Sequence, residues 1–485
     1  MMRVVLVVAN YAWFGKRPWR GMTASVPIIT AILKDKFELS VIDANINEYS
    51  EDEVRDKLIE SEPEVVLITA LSTEYFRTYH AIARISKEAF PKVPVIIGGV
   101  YPTVCPEYVV EDKNIDIVMM GHAEERLDVL LTLIEQKNDR AIKVFEGIAY
   151  RKNDEEEGRG SVIVPLKHYI GDVSKLLKPD YSLIDVDEYL DTERKNVSNQ
   201  NLEPKARTAS IISSYGCPYN CLFCATRTIS GRKVAYRPVE DVLEEIEFFV
   251  KEKKVETIII QDDNILADKE RAKYIFNEII RKEYNIEIQI LNVAAWHLDR
   301  EILELMKKSG VTKLGISIES GNERVLHEII HKPLDLKIIP EIVSICRELD
   351  ILMRANFVIG FPGETWDEIR DSLRVAEELD LDLVEIKVAT VLPKTDLYEL
   401  AMQTHSLPED FSFFEDDINF GFGKGNITTE EFTPNELTVV RAYEWDRINF
   451  STPEKRARAC RVMDITENEL KEYRKQTRRH CGIYF

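Results

Sequence analysis

Short apolar, β-branched runs recur along this chain with amphipathic stretches between them, and this alternation limits the possible folds more than any other feature. Val4 to Val8, Leu39 to Ile42, Val65 to Thr69, Val95 to Ile97 and Ile115 to Met119 predict five strands, with helices such as Glu53 to Ile59 and Tyr75 to Ala89 between them. Strands that are apolar throughout are buried on both faces, which a parallel sheet covered by helices provides. The first 140 residues are therefore predicted to form a doubly wound, Rossmann-like domain that binds ligands beyond the carboxyl ends of its strands. A second series follows at Ser210 to Ser214, Thr257 to Gln261, Glu287 to Leu291, Lys313 to Ile318, Arg354 to Ile359 and Leu383 to Val388. Helices are predicted between these strands at Val239 to Val250, Lys269 to Ile280, Arg300 to Lys308 and Trp366 to Leu379. Six βα units of about 35 residues suit a parallel barrel or partial barrel, with its active site at the C-terminal ends of the strands.

The expected organisation is α/β in four segments: a doubly wound domain over 1–140, a linker with a hairpin over 141–205, a partial barrel over 206–400 and a mainly helical cap over 401–485. The charged stretch Asn153 to Arg159 reads as the hairpin tip, and Pro165, Pro179 and Pro204 punctuate the linker. After about Leu400 come the aromatic and acidic stretch Phe411 to Phe422, the turn glycines Gly421, Gly423 and Gly425, and helical sequence. Residues 454–480 hold nine Lys or Arg against five Asp or Glu, which reads as a helix docking on an acidic body or as an anion-binding cap.

Across 485 residues, 85 acidic and 64 basic side chains give a formal charge of −21. Such a surface repels phosphate backbones and anionic lipid, so nucleic acid is not an expected partner and a small molecule or peptide is. No apolar run reaches the ~20 residues of a membrane span, and no export signal precedes Val4, so a reducing, cytoplasmic setting is expected. The seven cysteines do not make a disulfide scaffold. Cys105, Cys346, Cys460 and Cys481 are scattered and read as packing residues or inert thiols.

The remaining three cysteines, in Cys217-Pro218-Tyr219-Asn220-Cys221-Leu222-Phe223-Cys224, follow the first strand of the second series directly. Three thiolates on one loop can face a common centre, and thiolate is the ligand of zinc and of iron-sulfur clusters. A structural zinc site or an ordinary electron-transfer cluster takes four protein ligands, and no nearby His or Cys supplies a fourth. A 4Fe-4S cluster on Cys217, Cys221 and Cys224 leaves one iron open to a cofactor or substrate. The competing reading is three buried cysteines, or a zinc site completed from afar.

C-x3-C-x2-C after the first of six βα units resembles the radical S-adenosylmethionine (SAM) superfamily, over roughly residues 205–400. The resemblance implies a catalytic cluster on the three cysteines and a SAM site. Phe223 would lie against adenine, and Gln261-Asp262-Asp263-Asn264 would hold the SAM amino group. Leu314-Gly315-Ile316-Ser317-Ile318-Glu319-Ser320-Gly321 and Ile359-Gly360-Phe361-Pro362-Gly363-Glu364-Thr365 resemble further motifs around SAM, so Ser317, Glu319, Ser320, Gly360 and Gly363 join the candidate set. Each weaker motif has a plain alternative: Asp262 to Asn264 as a helix N-cap, Glu319 as a strand-end carboxylate, and the glycines as turn residues.

In the first domain, Thr69-Ala70-Leu71-Ser72-Thr73, Ile97-Gly98-Gly99-Val100-Tyr101-Pro102-Thr103 and Met120-Gly121-His122-Ala123-Glu124 follow the third, fourth and fifth strands. Glycines let backbone approach a large ligand, and small hydroxyls can bind its polar tail. Such a domain ahead of a radical SAM core is similar to the cobalamin-binding radical SAM enzymes. That resemblance implies cobalamin contacts from Asn45, Thr69, Ser72, Thr73, Gly98, Gly99, Tyr101, Pro102, Gly121, His122 and Glu124. Asp43-Ala44-Asn45-Ile46-Asn47-Glu48 replaces the Asp-x-His pattern of domains that ligate cobalt with histidine, so no imidazole is available there. His122 reads equally as an ordinary loop histidine. Tyr11, Trp13, Phe14 and Trp19, with Lys16, Arg17 and Arg20, fill a long loop that suits either a flat or anionic substrate or interdomain packing.

The implied activity is reductive cleavage of SAM to a 5′-deoxyadenosyl radical and methylation of an unactivated carbon, or of phosphorus, with cobalamin, under anaerobic conditions and with an external flavodoxin- or ferredoxin-like electron donor. The alternatives are a cyclase or oxidoreductase resembling the magnesium-protoporphyrin ester cyclases, and a non-catalytic iron-sulfur or cobalamin sensor.

Overall fold

Both predicted strand series form. The computed structural model of the chain describes residues 1–15, 19, 21–152, 160–195, 206–414 and 424–480. The hairpin tip, Lys16, Arg17, Arg20, Gly421, Gly423 and Cys481 lie outside the described residues.

The chain divides into two compact units, Met1–Ser198 with Thr226–Glu245, and Asn199–Ala225 with Ile246–Phe485. In the first, β1 (Arg3–Val8), β2 (Glu38–Asp43), β3 (Val65–Ala70), β4 (Val95–Gly99) and β5 (Ile117–Met119) are parallel, and β6 (Ile148–Arg151) and β7 (Ser161–Ile163) add an antiparallel hairpin. The sheet order is β2-β1-β3-β4-β5-β6-β7. The hairpin thus extends the sheet rather than lying in a linker: it pairs with β5, whose backbone would otherwise be an open edge. The order reverses between β1 and β3, which opens a crevice at their carboxyl ends. The helices follow from their sequences. Ser50 and Glu53 form a reciprocal capping box that starts the helix Glu51–Ser61. The helix Phe76–Ala89 turns Tyr79, Ile82, Ala83 and Ile85 inward.

Residues Thr226–Glu245, expected in the barrel segment, group with this unit. The helix Thr226–Ser230 packs on the helix Val100–Val104. Gly231, at φ +79°, lies so close to Tyr169 that a Cβ would stand 2.7 Å from the tyrosine side chain. Arg237 and Glu245 form a buried pair at 2.5 Å, and the Tyr181 hydroxyl donates to the same carboxylate.

In the second unit β8 (Thr208–Ile211), β9 (Thr257–Ile260), β10 (Glu287–Val293), β11 (Val311–Glu319), β12 (Leu352–Ile359) and β13 (Leu383–Val388) form one parallel sheet in sequential order. Sequential parallel order with helices between the strands is the layout of a (β/α) partial barrel, and it leaves β13 at one edge. The helix Pro434–Phe450 covers that edge. Val384 N–H donates to the Asn449 side-chain oxygen at 2.7 Å, and the Asn449 amide donates back to the Val384 carbonyl at 2.8 Å. Arg441 donates to the Ile386 carbonyl at 2.9 Å. These side chains supply what a seventh strand would supply, so the edge is closed without one. The basic C-terminal stretch docks on acidic surface: Arg458 pairs with Asp380, Arg461 with Asp350 and Arg474 with Asp446.

Candidate active site

The cysteine loop leaves β8 and is tethered along its length. Gly216 N–H donates to Asp263 at 2.8 Å, Leu222 N–H to the Ile330 carbonyl at 2.9 Å, and Leu397 N–H to the Leu222 carbonyl at 2.9 Å. The three thiols are unbridged and partly exposed. Burial pushes the Cys217 and Cys221 thiols up to about 11, against the pull of the Lys332 ammonium. No three His, Cys, Asp or Glu among the described residues are placed to hold a single metal ion. A cubane cluster does not need that arrangement, because each cysteine ligates its own iron. Three soft, unbridged donors on a tethered loop fit such a cluster.

The second β-strand loop divides its motif between two roles. Asp262 is buried and accepts from Ser213 N–H and from the Ser213 and Ser214 hydroxyls, each at 2.6 Å. Burial raises its carboxyl even so. It ties the end of β9 to the loop after β8. The N-cap alternative does not apply to this motif, since Asp268 caps the helix Lys269–Arg281 by accepting from Arg271 N–H at 3.0 Å. Asn264 is 1% exposed, yet neither side-chain amide atom has a hydrogen-bond partner among the described residues. Buried amides are almost always bonded, so this one stands where a polar ligand group would complete it.

Glu319 ends β11 at φ +70° and pairs with Lys332 at 3.2 Å, both side chains less than a tenth exposed. The Lys332 ammonium also lies 5.6 Å from the centre of the Trp296 ring. Lys332, Glu319 and Asp263 all act electrostatically on the thiols, so the fold brings these charges to the cysteine loop. Sequence reading missed Lys332, and a lysine in an apolar stretch before Pro333 and Leu334 was the available signal. Ser317 donates to Asn292 at 2.5 Å. Ser320 is fully buried and bonds Ser372 at 3.0 Å.

After β12, Gly360 and Gly363 adopt φ +93° and +83°, which favour glycine. The Glu364 carboxylate accepts from Gly360 and Phe361 N–H at 2.6 and 3.0 Å, while its other oxygen is buried with no partner among the described residues. Burial pushes this carboxyl up to about 7. The turn it holds sets Phe361 5.9 Å from Phe223, ring centre to ring centre, which gives a pair of aromatic faces beside the last cysteine.

In the first unit the candidate side chains are largely engaged with the protein. Thr69 bonds Ser25 at 2.6 Å, and Ser72 caps the turn Thr73–Tyr75 by accepting from Glu74 N–H, with Thr73 buried. Tyr101 bonds His80 at 2.8 Å, and His80 bonds Asp112 at 2.5 Å. Pro102 is buried in the helix Val100–Val104. Asn45 is buried, donating to the Trp19 carbonyl at 2.8 Å, and supplies no imidazole. Tyr11 is fully buried against Tyr75, 4.7 Å between ring centres, which makes it a packing residue. Gly99 adopts φ +116°, and a Cβ there would stand 2.4 Å from the Ala70 carbonyl oxygen, whereas Gly98 has no contact under 3.8 Å. Gly121 N–H donates to Thr103 at 2.8 Å. His122 bonds Ser230 at 3.0 Å; burial, with Arg126 nearby, pushes its imidazole down to about 4. Burial raises the Glu124 carboxyl. His122 and Glu124 line a cavity of about 270 Å³ with Arg126, Phe145, Glu146 and Tyr169.

A three-thiol loop at the carboxyl end of a parallel sheet, in one chain with a doubly wound sheet bearing glycine loops, defines a protein built for two cofactors. The model of the radical SAM superfamily matches residues 211–376 and that of the B12 binding domain residues 16–131. The chain therefore carries a radical SAM domain, with a B12-binding domain ahead of it. It is 26% identical to the cytidylyl-2-hydroxyethylphosphonate methyltransferase of Streptomyces wedmorensis over 72% of this chain and 68% of that protein. It is 24% identical to the anaerobic magnesium-protoporphyrin IX monomethyl ester cyclase of Rubrivivax gelatinosus, over 82% of this chain and 70% of that protein. Its fold is similar to the radical SAM methyltransferase TsrM from Kitasatospora setae, solved with cobalamin and a [4Fe-4S] cluster, with a TM-score of 0.69 at 19% identity over 84% of this chain and 76% of that one. No helix among the described residues is long and apolar enough to cross a membrane.

Proposed function

We propose that this protein is a cobalamin-dependent radical SAM methyltransferase acting on a small molecule or peptide. The observation that carries the proposal is the tethered three-cysteine loop with, in the same unit, the buried Lys332–Glu319 pair and the Asn264 amide that has no partner among the described residues. When bound, the cluster supplies the electron that cleaves SAM and the corrinoid a transferable methyl group. Cys217, Cys221 and Cys224 would hold the cluster, with Lys332 easing thiolate formation against burial. Asn264, Glu319 and Lys332 offer an amide, a carboxylate and an ammonium, complementary to the amino-acid end of SAM. Phe223 and Phe361 give its adenine aromatic faces, with the Glu364-held turn fixing Phe361. In the first unit, the loops after β3, β4 and β5 would hold the corrinoid, with Gly98 allowing close backbone approach. An external low-potential electron donor and a reducing, cytoplasmic setting belong to the same proposal.

Methyl transfer predicts S-adenosylhomocysteine and 5′-deoxyadenosine together in anaerobic turnover with a reductant. The similarity to the ester cyclase over 82% of the chain supports a second reading, ring closure, which predicts 5′-deoxyadenosine alone. A sensor forms neither product. Cys221→Ala is expected to abolish 5′-deoxyadenosine while leaving corrinoid bound. A colourless, zinc-loaded wild-type protein, or SAM cleavage by the variant, would sink the proposal, and iron without cobalt would remove the methyl-transfer branch.

A further inference from the structure

We propose that Tyr219, inside the cysteine loop, is a positioning residue that fixes the Cys217–Cys221 arm and so sets the environment of the cluster. The inference rests on the cluster reading above. The Trp296 indole N–H donates to the Tyr219 oxygen at 2.7 Å, and the Tyr219 hydroxyl meets His297 Nε2 at 2.7 Å. Burial holds the His297 imidazole below its ordinary range, with Lys269 adding to the effect, and one hydrogen bond joins its Nε2 to the Tyr219 oxygen. Both partners sit on the one short turn Ala295–His297, which follows β10 and is closed by His297 N–H to the Ala294 carbonyl at 3.1 Å. The Tyr219 and Trp296 rings also meet edge-on, 4.8 Å between centres.

Two further tethers of the loop, at Gly216 and Leu222, use the backbone of the loop itself. Tyr219 holds it through a side chain, so removing one oxygen atom releases that hold while the ring remains. The same Trp296 ring lies beneath the Lys332 ammonium, which acts on the Cys217 and Cys221 thiols. Tyr219 therefore holds the arm and, through Trp296, the ring beneath the Lys332 ammonium.

The test uses the full chain reconstituted anaerobically with iron and sulfide, comparing wild type, Tyr219→Phe, Trp296→Phe and the double variant. Each variant is expected to bind iron. Loss of the cluster absorption under EDTA should run about tenfold faster in Tyr219→Phe, the effect of losing one or two hydrogen bonds. The reduced cluster should give a shifted, broadened electron paramagnetic resonance signal, which a general loss of stability would not produce. Trp296→Phe should move both readouts in the same direction, and the double variant should be no worse than Tyr219→Phe, because the two residues share one tether. Should Tyr219→Phe not fold, Trp296→Phe carries the same comparison. Wild-type chelation rate and spectrum in the variants, or additive effects in the double variant, would overturn the role of Tyr219. A wild-type chain that takes up no iron-sulfur cluster would instead overturn the cluster reading itself.

Discussion

The two units use polar residues at their strand ends in opposite ways. In the second unit, Asn264 and one oxygen of Glu364 are buried with no partner among the described residues, and Lys332 and Glu319 are a buried charge pair at the thiols. In the first, Thr69, Tyr101, Asn45 and His122 bond to Ser25, His80, Trp19 and Ser230. The difference teaches how each would bind. At these positions the second leaves buried polar atoms that a polar ligand would complete, while the first uses its side chains for bonds within the protein.

Mutation can break this contrast, and the largest effect is expected at Lys332. Lys332→Met leaves the Glu319 carboxylate buried and unpaired, which should cost about 3–5 kcal/mol in urea unfolding, with Glu319→Gln on top restoring most of it. A loss under 1 kcal/mol would mean the pair is not dry. Next comes Glu364. Its folded value is raised to about 7, so the folded chain holds that proton more tightly than the unfolded chain. The resulting stability is complete below the unfolded value, near 4.5, and is lost as the pH rises through 7, by about 3 kcal/mol at most. Glu364→Gln keeps an acceptor for Gly360 and Phe361, and the difference between pH 5 and pH 8 should flatten; an unchanged slope would place the titration elsewhere.

In the first unit Gly99→Ala forces a Cβ onto the Ala70 carbonyl at a φ of +116°, and neighbouring strand backbone cannot yield. About 2–3 kcal/mol should be lost, together with corrinoid binding, while SAM binding persists. Equal loss of both ligands would show that the units do not behave separately. The smallest stability effect is expected at Asn264, where Leu removes, at similar volume, an amide with no partner among the described residues. Asn264→Leu should shift unfolding by less than about 1 kcal/mol yet weaken SAM binding roughly tenfold by calorimetry. A large stability loss would show that the amide already has a partner.

Much of this was legible in the residues. The wholly apolar runs marked the parallel strands, because only a sheet covered on both faces buries them, and observed bounds differ from the predicted ones by at most three residues. The cysteine spacing marked the loop. Other features were not legible, because they depend on which strand ends lie side by side. Asp262 reads the same as Asp263 in sequence, but the fold turns the first to Ser213 and Ser214 and the second to Gly216. Lys332 lies 13 residues beyond Glu319 with no motif between them. Asn449 meets Val384 across 65 residues, so the closing of the sheet edge left no local mark.

By itself the sequence determined the two parallel sheets, their order along the chain and the three-thiol loop, because hydrophobic period and ligand spacing are local properties. Only the tertiary structure decided that Thr226–Glu245 packs with the first unit, that Lys332 pairs with Glu319, that Tyr219 ties the loop to Trp296 and His297, and that Asn264 has no side-chain partner among the described residues. Those are facts of juxtaposition: a buried polar group takes the partner that chain packing brings within about 3 Å, and residue order alone does not specify that distance.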